Sequence, residues 1–247
     1  MNLKMTIQVI FNRLGYQIKK INSFDPIYEE EFKEIYKKCS GYHMQSVERL
    51  YALYQSVRYI AEQPIEGDIV ECGVYKGASL MAASYVLQKL RDTKRRLHLY
   101  DTFAGWPDQG TRDSRFHPSH RPTESTQTHW GIKAVISLEA VQQNLWQTGY
   151  PKENIIFIKG KVEETLPKNI PNKIALLRLD TDGYESTYHE LTHLYPKLSV
   201  HGLLIIDDYG HWKGAKDAVD QYFREHGLKP LLHRIDYTRR IAIKTKP

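Results

Sequence analysis

The stretch Asp68-Ile69-Val70-Glu71-Cys72-Gly73-Val74-Tyr75-Lys76-Gly77-Ala78-Ser79 changes character within one short span. Its first part is an apolar run too short for a buried helix, bounded by Gly67 and Gly73, and it reads as a buried strand. A helical pattern takes over at Ala78 and continues to about residue 91, so the glycine-bearing turn joins a strand to a helix. The same alternation recurs downstream. Residues 97–101, 155–158, 174–180 and 203–208 read as strands, and 184–195 and 214–226 as helices. Strands alternating with helices from Gly67 onward predict an α/β domain with a mostly parallel sheet and helices on both faces. Two last strands, near 228–234 and 238–244, are expected to form a hairpin through Asp236.

Upstream the pattern is helical throughout. Residues 26–38 and 46–61 each place apolar side chains on one face, with Ser46 as the expected N-cap of the second helix. Pro64 and Gly67 end this part. The expected organisation is a helical extension over residues 1–64 and a core domain over 65–247. Residues 103–130 are rich in Gly, Pro, Ser, Thr and His and lack periodicity. So long a stretch inside a domain reads as a lid over a ligand.

Composition sets outer bounds. The 247 residues carry a formal charge of +6, with basic residues scattered along the chain. A nucleic-acid footprint would need them clustered, so no nucleic-acid partner is expected. The apolar stretch at residues 5–11 is too short to span a bilayer and lacks a signal-peptide cleavage pattern, so no stable membrane insertion is expected. Cys39 and Cys72 offer neither a disulfide framework nor a zinc spacing, and the cytoplasm is the expected compartment. The N-terminal helices are the expected surface for self-association.

The chemistry lies at the strand ends. Glu71, Asp101, Asp180 and the pair Asp207-Asp208 each close a strand. In open parallel sheets ligands bind beyond the carboxyl ends of the strands, so these acids gather on one rim. The spacing Gly73-x-x-x-Gly77 is neither the dinucleotide fingerprint nor a phosphate loop. An acid in the place of Asp101 suits the hydroxyls of a ribose. Asp180, Asp207 and Asp208 offer only oxygen ligands, which suit a hard cation such as Mg²⁺. Crowded carboxylates that lack such a cation must instead have raised pKa values. Asp182, two residues past Asp180, stands where a general base would. Of the histidines nearby, His211 is the one close to the acidic pair.

These segments together resemble the macrocin O-methyltransferase family. The resemblance is carried by the opening stretch, by Tyr100-Asp-Thr-Phe-Ala-Gly-Trp-Pro107, by Leu179-Asp-Thr-Asp-Gly-Tyr-Glu-Ser-Thr187 and by Ile206-Asp-Asp-Tyr-Gly-His-Trp-Lys-Gly-Ala215. It implies a class I methyltransferase fold, Rossmann-like, with a seven-stranded sheet and an antiparallel last strand. It implies S-adenosylmethionine as methyl donor and Mg²⁺ as cofactor, with a sugar hydroxyl of a natural product or glycan as acceptor. Carried over by motif, Asp180, Asp207 and Asp208 are metal ligands and Asp182 is the base. Glu71, Gly73, Tyr75, Ser79, Asp101 and Thr102 are cofactor contacts, with Asp101 on the ribose. Met44 and Ser46 lie in the lead-in that approaches the cofactor, and Glu163 is placed at the adenine edge. The chain departs from the family at His43-Met44-Gln45-Ser46, where Thr-Met-Thr-Ser is expected, and at Gly160-Lys161-Val162-Glu163, which lacks an aromatic after the glycine. Two other readings of the same rim are a metal-dependent phosphate-ester hydrolase and a catalytically silent interaction protein.

Overall fold

A computed structural model describes residues 7, 9–11, 13–14, 27–43, 45–105, 111–114 and 135–246. Met44 and most of the 103–130 stretch lie outside the described residues. Helical residues at 7, 9–11 and 13 precede two helices, α1 (Glu30–Cys39) and α2 (Val47–Glu62). Ser46 caps α2 as its sequence suggested, its hydroxyl accepting from Arg49 N at 3.3 Å. The alternating part follows as β1 (Asp68–Cys72), α3 (Ala78–Lys89), β2 (Leu97–Asp101), α4 (Leu138–Trp146), β3 (Ile155–Lys159), the short α5 (Val162–Thr165), β4 (Ile174–Leu179), α6 (Tyr184–Leu194), β5 (Leu198–Ile206) and α7 (Lys213–Glu225). The hairpin strands β6 (His233–Arg234) and β7 (Arg240–Ile243) close the chain.

The seven strands form one sheet in the order β3-β2-β1-β4-β5-β7-β6. The first five run parallel, and β7 runs antiparallel to both β5 and β6. The expected architecture is present, with differences in detail. Helices α4 and α5 have no counterpart in the sequence reading, β5 begins at Leu198 rather than at 203, and the hairpin strands are shorter than the apolar runs around them.

Period-two alternation divides the core between the two faces of the sheet. Ile69, Leu176, Leu203 and Ile205 pack with α1, α2 and α3. Val70, Leu177, Leu204 and Ile206 pack with α6 and α7. Leu50, Leu53, Val57 and Ile60 of α2 are buried in the first of these clusters, so the N-terminal helices cover one face of the sheet. Cys39 and Cys72 are buried free thiols. Among the described residues no helix is long and apolar enough to cross a membrane.

The alternation also fixes where polar groups emerge. Glu71 on β1 stands opposite Arg178 on β4, which stands opposite Ile205 on β5. Glu71, Arg178 and Asp207 therefore leave the sheet on the face covered by α2 and α3, at its carboxyl end.

Candidate active site

The acids that close β4 and β5 meet in space. Asp180, Asp207 and Asp208 each present a carboxylate oxygen, and these oxygens lie within 4.8 Å of one another. Asp182 follows on the turn into α6, with φ at 64°, a left-handed conformation that costs a non-glycine residue about 1 kcal/mol or more. This turn brings the Asp182 side chain into hydrogen bonds with Asp208 and with the indole of Trp212.

Two buried arginines, absent from the sequence reading, organise the cluster. Arg178, with a side chain 4% exposed, donates to Glu71 Oε1, to Asp180 Oδ2 at 2.7 Å and to Asp207 Oδ1 at 2.8 Å. Arg239, fully buried at the start of β7's segment, pairs with the same Asp207 oxygen and donates to the Arg49 carbonyl at 3.0 Å. Arg49 of α2 lies 3.9 Å from Asp207 Oδ2 and bonds Asp236 in the hairpin at 2.5 Å.

The four aspartates are thereby made unequal. Burial opposes ionisation of Asp207, but Arg178, Arg239 and Arg49 outweigh it and hold the carboxyl down at about 2. Burial and the neighbouring acids instead push Asp180, Asp182 and Asp208 well above the usual carboxylate range. Asp208 Oδ2 is buried with no hydrogen-bond partner. An all-oxygen donor set, with one oxygen orphaned and the charges only partly balanced, fits a hard divalent cation.

The turn after β1 lies beside this cluster. A Cβ on Gly73 would fall 2.0 Å from the Asp180 carbonyl oxygen, and Gly73 also has φ at 81°. Gly73 is thus required by the approach of β4 to β1, whatever else it contacts. Gly73→Ala is expected to cost about 3 kcal/mol or more, since the clash is with backbone and the conformation disfavours a side chain. Urea unfolding measures it, and a wild-type midpoint would contradict this packing.

Asp101 closes β2 and turns back on the same turn. It accepts from Val74 N at 2.6 Å, Tyr75 N at 3.3 Å and Phe103 N at 2.8 Å. These bonds hold Tyr75, itself at φ 51°, and leave part of the carboxylate's accepting capacity unused. Thr102 binds the Gly105 carbonyl at 2.7 Å and stabilises the following loop. Glu163 is exposed on α5, at the end of β3. Ser46 serves as the α2 cap, and Met44 lies outside the described residues.

Ser79 and Glu71 are buried beneath this turn rather than on its surface. They belong to a ring of polar side chains. Glu71 accepts from Arg178, and the Ser79 hydroxyl beside it helps to hold its charge. Ser79 accepts from Gln45 at 2.7 Å, and Gln45 accepts from Arg239 at 3.1 Å. Arg178 and Arg239 meet on Asp207. The ring ties the β1 turn to the acidic cluster through Gln45, one of the positions where the lead-in departs from the family pattern. Burial drives the Glu71 carboxyl up to about 6 despite Arg178. On α6 below the site, Glu190 is fully buried and takes the Thr181 hydroxyl at 2.9 Å.

Comparison with known proteins shows the family. Residues 7–241 match the family model described as macrocin-O-methyltransferase (TylF). A tetracenomycin-C rhamnosyl 4'-O-methyltransferase of Streptomyces olivaceus is 35% identical over 195 residues, which covers 79% of this chain and 72% of the relative. The demethyldecarbamoylnovobiocin O-methyltransferase of Streptomyces niveus is 31% identical over 217 residues, covering 86% and 80%. The solved structure of the O-methyltransferase NovP superposes with a TM-score of 0.72 at 27% identity, covering 99% of this chain and 98% of that one. A seven-stranded sheet with its antiparallel β7, an acidic rim and a match spanning nearly the whole chain lead to one conclusion: this protein is an O-methyltransferase and belongs to the macrocin O-methyltransferase family.

Proposed function

We propose that this enzyme transfers a methyl group from S-adenosylmethionine to a hydroxyl of a sugar on a natural-product glycoside, with Asp182 as general base. The observation that carries the reading is the meeting of Asp180, Asp207 and Asp208 beside Asp182, in a chain of this family. The relatives support the acceptor class, since one acts on a rhamnosyl tetracenomycin-C and another on demethyldecarbamoylnovobiocin. The β1 turn and Asp101 would take the cofactor, with Asp101 reaching the ribose hydroxyls.

Bound S-adenosylmethionine would supply the methyl group, the acceptor oxygen replacing sulfur as the partner of its carbon. The Asp182 carboxylate would take the hydroxyl proton. Asp180, Asp208 and the outer oxygen of Asp207 would hold Mg²⁺ or a similar cation, which supplies Lewis acidity to lower the pKa of the acceptor hydroxyl. The left-handed turn and the Trp212 indole beside it would set the direction of the Asp182 carboxylate toward the acceptor hydroxyl. Arg178 and Arg239 hold Asp207 ionised and in place.

A thermal-shift titration tests the cofactor assignment. S-adenosylhomocysteine is expected to raise the melting temperature, and its failure to do so would refute the reading. A panel of glycosides incubated with isotopically labelled methyl donor, read by mass spectrometry, identifies the acceptor. Asp182→Asn is expected to lower kcat by about 10²–10⁴-fold, with S-adenosylhomocysteine affinity nearly unchanged. A large loss of that affinity would reassign Asp182 to cofactor binding.

A further inference from the structure

The turn that carries Asp182 is held from outside. Helix α6 begins after Gly183, which has no side chain to cap it, and α7 begins after Trp212, which provides no side-chain cap. The first amides of a helix need acceptors. Here both come from one distant segment. Asp113 Oδ1 accepts from Tyr184 N at 2.8 Å, and the Ser114 carbonyl accepts from Lys213 N at 2.8 Å. The Arg112 guanidinium lies over the Tyr184 ring, 4.2 Å from its centre. The fit is close: a Cβ on Gly214 would fall 1.9 Å from Asp113 Oδ1, and one on Gly183 would fall 3.3 Å from Oδ2.

We infer that Asp113 is a positioning residue for methyl transfer, which staples residues 112–114 to the starts of α6 and α7 and fixes the turn bearing Asp182. The inference rests on the assignment of Asp182 as base. The physical reason is competition for a partner. Asp182 is the nearest carboxylate upstream of the α6 amides, and a negative side chain is drawn to a helix N-terminus. Asp113 satisfies Tyr184 N and leaves Asp182 to Asp208 and Trp212.

Two substitutions approach the staple from opposite sides. Asp113→Ala removes the acceptor. Gly214→Ala keeps Asp113 but occupies its place, at a helical position where alanine is otherwise favoured over glycine by about 1 kcal/mol. Each is expected to speed hydrogen exchange of the Tyr184 amide by about tenfold or more, since it removes the acceptor of that N–H. Each should lower kcat by about 10–100-fold, the scale of a misplaced reacting group, with S-adenosylhomocysteine affinity within about twofold of wild type. Asp113→Asn, which keeps an acceptor oxygen, should recover much of both. Unchanged exchange at Tyr184 in Asp113→Ala would overturn the staple, and wild-type kcat in both alanine variants would overturn its role in transfer. A wild-type enzyme that binds no S-adenosylhomocysteine would instead refute the methyltransferase reading, while the exchange experiment would still decide the staple.

Discussion

Asp208→Asn is expected to lower methyl transfer by about 10³-fold or more while leaving the protein as stable as wild type or more so. The first half follows from the donor set. Asp208 Oδ2 is buried with no partner, and its carboxylate lies among two other acids that leave their charges only partly balanced. An amide of the same shape keeps the packing but removes one anionic ligand, and loss of a charged hard-cation ligand weakens both binding and Lewis-acid activation. The second half follows from burial and repulsion. Burial opposes ionisation of Asp208, and Asp182 and Asp207 add to it, so neutralising it relieves the folded state. Asp207→Asn should behave differently, because Asp207 balances Arg178, Arg239 and Arg49 and its loss leaves buried cations without their partner. Turnover with the acceptor found in the glycoside panel, Mn²⁺ binding by water-proton relaxation, and urea unfolding separate the two variants. Normal turnover by Asp208→Asn, or full wild-type activity in a chelator, would remove the metal from the mechanism.

The contrast between those two aspartates marks where the sequence stops being legible. The parallel part of the sheet could be read because each of its five strands is an apolar run closed by glycine or an acid, and that local pattern determines both strand and face. The gathering of Asp180, Asp207 and Asp208 followed from strand polarity alone. Helix α4 escaped because it follows an aperiodic stretch that hides its start, although Ser137 caps it, accepting from Ala140 N at 3.3 Å. The inequality of the acids escaped for a different reason. It is set by arginines from separate parts of the chain, and Arg239 and Arg49 meet only when the β6–β7 hairpin folds against α2. No periodicity announces such a contact. Arg178 did leave a signal: a lone cation inside Ile174-Ala-Leu-Leu-Arg-Leu179 is anomalous for a buried strand and calls for buried acids beside it.

That arginine carries the largest stability effect expected in the molecule. Arg178→Met should destabilise the fold by about 3–5 kcal/mol, the cost of stranding buried charges by removing one partner. In a chain of this length the melting temperature should fall by roughly 10 °C. The methionine would fill the space on β4, so the loss comes from the acids left behind. Asp207 retains Arg239, and Asp180 reaches the rim with a side chain 28% exposed, but Glu71, whose Oε2 already lacks a partner, loses its ion pair. The sign with pH follows from Glu71. Its folded-state pKa already stands at about 6, raised by burial, and losing Arg178 moves it higher. A carboxyl raised in the folded state costs stability where the unfolded chain ionises it, above about pH 4.5. The deficit of Arg178→Met relative to wild type should therefore be widest near pH 7 and narrow as the pH falls toward 5. Adding Glu71→Gln to Arg178→Met should restore part of the stability at pH 7, because the stranded charge is gone. Urea unfolding of the wild type, both single variants and the double variant at pH 7 and pH 5.5 closes the cycle. A deficit that ignores both pH and the Glu71 substitution would mean that Arg178 acts through packing alone, and the ionic row across β1, β4 and β5 would lose its role in holding the site.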